Sequence, residues 1–163
     1  MNQKPEQIMI IDAAQQTLSC YLDNILWKTY RVSTGKNGLG EEEGSECTPR
    51  GWHAVYAILG RHYPLNSVFV SRQWTGEIYS PALAQSYPGR DWILTRIIQL
   101  DGLELGHNRG GKVDTLSRYI YIHGTPDETT LGVPGSRGCI RMANADIVEL
   151  AEWVSVGARV CVQ

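Results

Sequence analysis

The sequence predicts a mainly β fold of α+β class, built as one domain with a single clear helix near its C-terminal end. Three observations predict it. Short runs rich in β-branched and aromatic residues recur along the chain, punctuated by Gly, Pro, Asn and Asp. One segment, after Asn144, places apolar residues at helical spacing. No repeat, low-complexity tract or linker divides the 163 residues, so residues 1–163 read as one domain.

The elements follow in order. Ile8 to Asp12 and Thr17 to Leu22 are apolar strand runs separated by Ala13-Ala14-Gln15-Gln16. Asp23-Asn24 then suits a tight hairpin turn into a third strand, Ile25 to Val32. Gly35 to Gly44 is a Gly- and Glu-rich loop, and Thr48-Pro49-Arg50-Gly51 introduces a strand from Trp52 to Leu59. Between residues 60 and 91, Val68-Phe69-Val70 and Glu77-Ile78-Tyr79 read as short strands. Pro64, Pro81 and Pro88 mark loops or short helical turns around them. Trp92 to Leu100 is apolar on both faces and predicts a central strand. Gly106 to Asp114 is a loop, and Arg118 to Ile122 a further strand. Asn144 is the expected N-cap of the helix, whose buried stripe is Ile147, Leu150, Ala151 and Val154. Gly157 stops it, and Arg159 to Val162 closes the domain as a strand.

Composition narrows the function. The chain is 42% hydrophobic and 20% charged, the balance of a folded soluble domain. At this length folding buries roughly 70% of the unfolded chain's surface, so neither metal nor disulfide is needed to supplement the core. Fifteen basic and seventeen acidic residues give −2, which excludes nucleic-acid binding driven by bulk positive charge. No apolar run reaches the length of a membrane-spanning helix, so no membrane association is expected. The polar start Met1 to Glu6 lacks the pattern of a secretory signal, and a cytoplasmic location is expected unless a leader has been removed. Cys20 and Cys161 sit in strand runs as small hydrophobes, while Cys47 lies in a loop. The cysteines and His53, His62, His107 and His123 lack zinc-ligand spacing, so neither a metal site nor a cofactor is expected.

The chemistry concentrates in one stretch. His123-Gly124-Thr125 ends an apolar strand, and Ser136-Arg137-Gly138-Cys139-Ile140-Arg141-Met142 follows after a loop. A thiol attacks as thiolate, and a nearby imidazole can take its proton. Arg137 and Arg141 add positive charge, and Gly138 lets the backbone approach a substrate closely. Amides around Cys139 can bind an oxyanion. By themselves, a Cys beside Gly and a His at a strand end are more often a packed thiol and a capped surface group. The flanking residues decide between the readings.

Tyr119-Ile120-Tyr121-Ile122-His123-Gly124-Thr125 through Gly135-Ser136-Arg137-Gly138-Cys139-Ile140-Arg141-Met142 resembles the signature of the L,D-transpeptidase catalytic domain (YkuD-like). Ile10-Ile11-Asp12 with Gln16-Thr17-Leu18, Val32 to Gly35, Thr48 to Gly51 and Gly157 to Val162 extend the resemblance over nearly the whole chain. One residue departs from the pattern: Arg137 stands where the family commonly has a second His, leaving His123 as the one base. The resemblance implies a mixed β-sheet sandwich or open barrel with the helix packed beside the Cys loop.

The resemblance also implies a mechanism. Cys139 attacks the amide between the third stem residue and a terminal D-Ala of peptidoglycan, forms a thioester and releases D-Ala. His123 serves as base and then acid, oriented by a backbone carbonyl of Gly124 or Ser136. Arg141 holds the site or a substrate carboxylate, or else makes a structural salt bridge. Arg137, Tyr121, His107 and Asn108 are further candidates for lining the substrate cleft, with packing or a plain turn as the alternative. Trp52, Trp74 and Trp92 read mostly as core, and His53 and His62 as structural. Carbapenem acylation of Cys139 is a further implication.

Arg90-Asp91-Trp92-Ile93-Leu94-Thr95-Arg96-Ile97 and Asn108-Arg109-Gly110-Gly111 resemble a compact signal-less branch, which implies a cytoplasmic L,D-carboxypeptidase that trims muropeptides during wall recycling. The alternatives are a periplasmic transpeptidase and a non-catalytic binder of peptidoglycan fragments. A papain-like protease fits poorly, because the Cys follows the His. The motif is the same for hydrolysis and transfer, and the sequence is silent on oligomeric state.

Overall fold

A computed structural model describes residues 3–163; Met1 and Asn2 of the polar start lie outside them. Among the described residues ten strands and two α-helices follow in the order β1 (Gln7–Asp12), β2 (Thr17–Leu22), β3 (Ile25–Ser33), β4 (Gly51–Leu59), β5 (Ser67–Val70), β6 (Gln73–Ile78), α1 (Pro81–Ser86), β7 (Ile93–Gly102), β8 (Tyr121–Thr125), β9 (Ile140–Ala143), α2 (Asn144–Trp153) and β10 (Arg159–Val162). The sheet order is β4-β10-β1-β2-β3-β9-β8-β7, and β4 pairs again with β7. Eight strands therefore close into a barrel, with β5–β6 branching from β7. The sheet is mixed, because β1–β10 and β8–β9 are parallel while the other pairs are antiparallel.

Closure replaces the open edge implied by the resemblance, and β7 explains how. Its Ile93 and Leu94 pair with β5, while Ile97 to Gly102 pair with β4. Between them Thr95 takes φ 73°, a costly conformation for a β-branched residue. The Thr95 hydroxyl offsets part of that cost by accepting from the Asn66 amide at 3.0 Å and donating to Asn144 Oδ1 at 2.6 Å.

The β2–β3 hairpin turns at Asp23 and Asn24 with φ 48° and 65°, the two left-handed residues a tight primed turn requires. The interior is filled by alternate strand residues such as Met9, Ile11, Leu18, Val32, Ile98, Ile122 and Met142. The helix stripe Ile147, Leu150, Ala151 and Val154 joins this cluster, as its spacing predicted.

Several boundaries differ from expectation. Asn144 is the first helical residue and not the cap; its buried amide bonds Thr95 and Asn66 instead. The helix ends at Trp153, four residues before Gly157, and Arg61 donates to the Ala151 and Val154 carbonyls at that end. β8 begins at Tyr121 and not Arg118, because Tyr119 takes φ 57° and breaks the extended run. β9 is too short to announce itself in sequence. Trp52, Trp74 and Trp92 are half-buried: Trp74 packs against the Phe69, Ile97 and Tyr121 core cluster and on Tyr63 at 4.9 Å, while Arg90 lies 4.5 Å over Trp92.

Candidate active site

The parallel pairing of β8 and β9 brings the two halves of the motif together. Ile122 is opposite Ile140 and His123 opposite Arg141, so Cys139 enters β9 beside Tyr121. The turn before it depends on Gly138, whose φ is 123°; a Cβ there would also meet the Cys47 carbonyl at 3.0 Å. Thr48 Oγ1 donates to the Gly138 carbonyl at 2.8 Å, which ties the Thr48-Pro49 landmark to the turn before Cys139. Ser136 Oγ accepts from the Gly138 amide at 3.1 Å and donates to the Cys139 carbonyl. Ser136 thus shapes the turn and does not bond the imidazole. The Gly138 amide is committed to Ser136, whereas the Cys139 amide makes no hydrogen bond among the described residues and is the better oxyanion donor.

His123 is buried, and its Nδ1 lies 2.6 Å from the Gly124 carbonyl. That contact requires a proton on Nδ1, which leaves the Nε2 lone pair as the base. Burial pushes the imidazole below its ordinary value; the Gly124 carbonyl and Asp91 oppose this, and Arg141 adds to it. The ring is therefore neutral near pH 7.

Cys139 is half-buried. Its Sγ accepts from the Tyr121 amide at 3.3 Å and donates to the Tyr119 carbonyl at 3.4 Å. Burial pushes the thiol up to about 12, against the pull of the Tyr121 amide, Arg141 and Arg118. The resting pair is thus a thiol and a neutral imidazole.

Both groups line one cleft of about 360 Å³, together with Ser136, Arg137, Tyr121 and Arg141. Arg141 donates to Asp91 at 3.2 Å and to the Gly135 carbonyl at 3.0 Å, so the salt bridge is real and the guanidinium still faces the cleft. Arg137 is exposed and reaches the Gly89 carbonyl at 3.4 Å. The Tyr121 hydroxyl accepts from Arg72 at 3.0 Å.

His107 and Asn108 do not line this cleft. Asn108 is fully buried, donates to the Arg50 and Trp52 carbonyls and accepts from the Glu104 amide, a brace at the start of β4. His107 lies 3.5 Å from Glu41. Of the two readings of this loop, a cleft wall or a plain turn, the structure takes the second, because the loop folds back toward β4.

Sequence reasoning missed Arg72, Asp91, Arg118 and Tyr119 as cleft residues. Arg118 sits in a turn read as strand, and donates to the Glu41 and Cys47 carbonyls at 3.1 and 2.8 Å. The cleft therefore carries four arginines against one carboxylate, which suits an anionic ligand. No group of three or more His, Cys, Asp or Glu is placed to hold a metal ion among the described residues. No helix among them is long and apolar enough to cross a membrane.

The family model of the L,D-transpeptidase catalytic domain, YkuD, matches residues 6–162. The YkuD protein of Bacillus licheniformis, described as a candidate L,D-transpeptidase, is 49% identical over 49 residues, 29% of this chain and 30% of that relative. Bacillus subtilis YqjB, described in the same terms, is 29% identical over 154 residues, 94% of this chain and 69% of the relative. Among solved structures, an L,D-transpeptidase from Mycobacterium smegmatis is similar at TM-score 0.59 and 19% identity, over 99% of this chain and 60% of that one. L,D-transpeptidase 3 from Mycobacterium tuberculosis, in complex with a faropenem-derived adduct, is similar at TM-score 0.61 and 18% identity, over 98% of this chain and 60% of that one. At these identities the structural likeness is one of fold.

Proposed function

The chain belongs to the L,D-transpeptidase catalytic-domain (YkuD) family, and from that membership we propose that it is a cysteine-dependent L,D-carboxypeptidase that releases terminal D-Ala from peptidoglycan tetrapeptide stems. The observation that carries this reading is the cleft itself: a thiol and a buried imidazole with a free Nε2, on neighbouring parallel strands, within a wall of arginines.

The chemistry proceeds in two halves. Cys139 Sγ attacks the carbonyl carbon of the third residue, and its proton passes to His123 Nε2. The tetrahedral oxyanion is met by the Cys139 amide. The C–N bond breaks, His123 returns the proton to the leaving D-Ala amine, and a thioester remains. Water then attacks the thioester, giving its proton to Nε2; the C–S bond breaks, and the tripeptide leaves as the acid while the thiol is reprotonated. The Gly124 carbonyl supports the imidazolium formed midway. Because the thiol starts protonated, proton transfer accompanies attack on bound substrate, which protects the resting enzyme from oxidation.

A cytoplasmic recycling role belongs to the same proposal. Four free cysteines suit a reducing compartment. The second reading, transpeptidation, shares the acyl-enzyme and differs in the acceptor. Mass spectrometry of products from a tetrapeptide muropeptide, with and without excess D-amino acid, separates them. Tripeptide and free D-Ala as the main products in both conditions are expected. Exchange or dimeric products would replace the carboxypeptidase with a transpeptidase. A carbapenem adduct on Cys139 by intact-mass spectrometry is expected on either reading, and no adduct would contradict an accessible nucleophile.

A further inference from the structure

The mechanism above leaves Arg72 unused. Ser71 and Arg72 join β5 to β6 with φ 50° and 64°. A two-residue hairpin loop requires this left-handed pair, as at Asp23 and Asn24.

This turn aims the guanidinium at the cleft. Arg72 lies 4.6 Å over the Tyr119 ring, and its Nη1 donates to the Tyr121 hydroxyl at 3.0 Å. Tyr121 in turn presents its amide to Cys139 Sγ. Arg72 is therefore anchored through the residue that touches the nucleophile. Stacking and the hydrogen bond hold a long side chain that would otherwise lose rotamer entropy on binding.

The charges of the other arginines are answered or loose. Arg141 is paired with Asp91, and Arg118 is occupied by backbone carbonyls. Arg137 is exposed and makes one long contact. Arg72 and Arg118 are both held in place and, among the described residues, without a carboxylate partner, but Arg118 spends both Nη atoms on backbone carbonyls whereas Arg72 makes one hydrogen bond, to the Tyr121 hydroxyl. It also borders a second groove of about 780 Å³ beside Tyr63 and Trp74, so a ligand it holds has room to extend away from Cys139.

We propose that Arg72 is a specificity-determining residue that receives a carboxylate of the substrate. The proposal rests on reading the cleft as a stem-peptide site. A tetrapeptide stem of the diaminopimelate type carries carboxylates on its second residue, its third residue and its C terminus. Each would present the same planar anion to the guanidinium fork.

The test compares wild type, Arg72→Gln and Arg72→Lys on the tetrapeptide and on three analogues, each with one carboxylate converted to the amide. Tripeptide formation is followed as kcat/KM. Wild type is expected to prefer the acid over one of the amides by roughly ten- to a hundredfold, the range for a charge-assisted hydrogen bond. Arg72→Gln erases that one preference and leaves the other two ratios intact; Arg72→Lys restores part of it. The amide whose ratio collapses identifies the carboxylate. Unchanged ratios in Arg72→Gln overturn the proposal, including the case where its rate falls equally on all four substrates, which is the mark of a structural role.

Binding of the same four peptides to Cys139→Ala and to Cys139→Ala/Arg72→Gln gives an arm independent of turnover. Binding with the Arg72-dependent ratio but no wild-type turnover would sink the carboxypeptidase reading and keep the proposal. Absence of binding by all four peptides would sink both.

Discussion

Alkylation of Cys139 by iodoacetamide, followed from about pH 6 to about pH 10, reads the resting protonation of the nucleophile. The thiol is pushed from an ordinary 9.0 up to about 12 by burial, and Asp91 adds to that shift. The Tyr121 amide, Arg141 and Arg118 act in the opposite sense without cancelling it. Each pH unit is tenfold in thiolate, so near neutrality Cys139 carries roughly a thousandth of the thiolate of an unperturbed thiol. His123 does not reverse this, because burial lowers its own affinity for the proton. The assay measures the alkylated Cys139 peptide by mass spectrometry, with glutathione in the same tube as the unperturbed thiol. Expected is a rate well below that of glutathione near neutrality, the higher nucleophilicity of the scarcer thiolate offsetting part of the difference, and still climbing with pH at the top of the range. A Cys139 rate that levels off below about pH 8 would refute the reasoning, because it would require a preformed thiolate–imidazolium pair.

Two further perturbations test the frame around the site. Gly124→Ala would drive a Cβ into Asn144 Oδ1 and to 2.6 Å from the Leu94 carbonyl. A loss of about 1–3 kcal/mol in denaturant melts is expected, with a fall in D-Ala release as the carbonyl that fixes His123 shifts; wild-type stability would contradict the packing. His53 is fully buried between the Gly51 carbonyl and Thr115 Oγ1, and burial lowers it from 6.5 to about 4. The unfolded chain binds this proton first, so stability is full above pH 6.5 and declines as pH falls toward 4. That decline is worth up to roughly 3 kcal/mol, and His53→Gln should lose correspondingly less stability between about pH 7 and about pH 4.5. Equal acid losses in both proteins would contradict the assignment.

What the sequence disclosed followed local physics. The Asp23-Asn24 turn, the alternating strands and the helix stripe each depend on near neighbours, and all are present. The His-Gly and Ser-Arg-Gly-Cys segments are legible as a pair through their resemblance to the L,D-transpeptidase signature, and parallel pairing of β8 with β9 supplies the contact.

What stayed hidden depends on distant contacts. Barrel closure turns on Thr95, whose strained backbone is held by Asn66 and Asn144 from remote segments. Asn144 looked like a cap for the same reason, since its partners lie 49 and 78 residues away. Arg72 and Asp91 sit in the stretch where Pro and Gly break every periodicity, and only the fold carries them to Cys139. His107 and Asn108 left two readings open, cleft or turn, and only the fold decides for the turn, since proximity to β8 in sequence does not become proximity to the cleft.

The central claim, that Cys139 is the nucleophile, is tested most directly by D-Ala release from a tetrapeptide stem by wild type and Cys139→Ala. Thiol to methyl is a small change in a half-buried position, so the variant should keep the wild-type fold by circular dichroism and melting temperature. The account predicts D-Ala from wild type and none above background from the folded variant. Turnover by Cys139→Ala at the wild-type rate would contradict it.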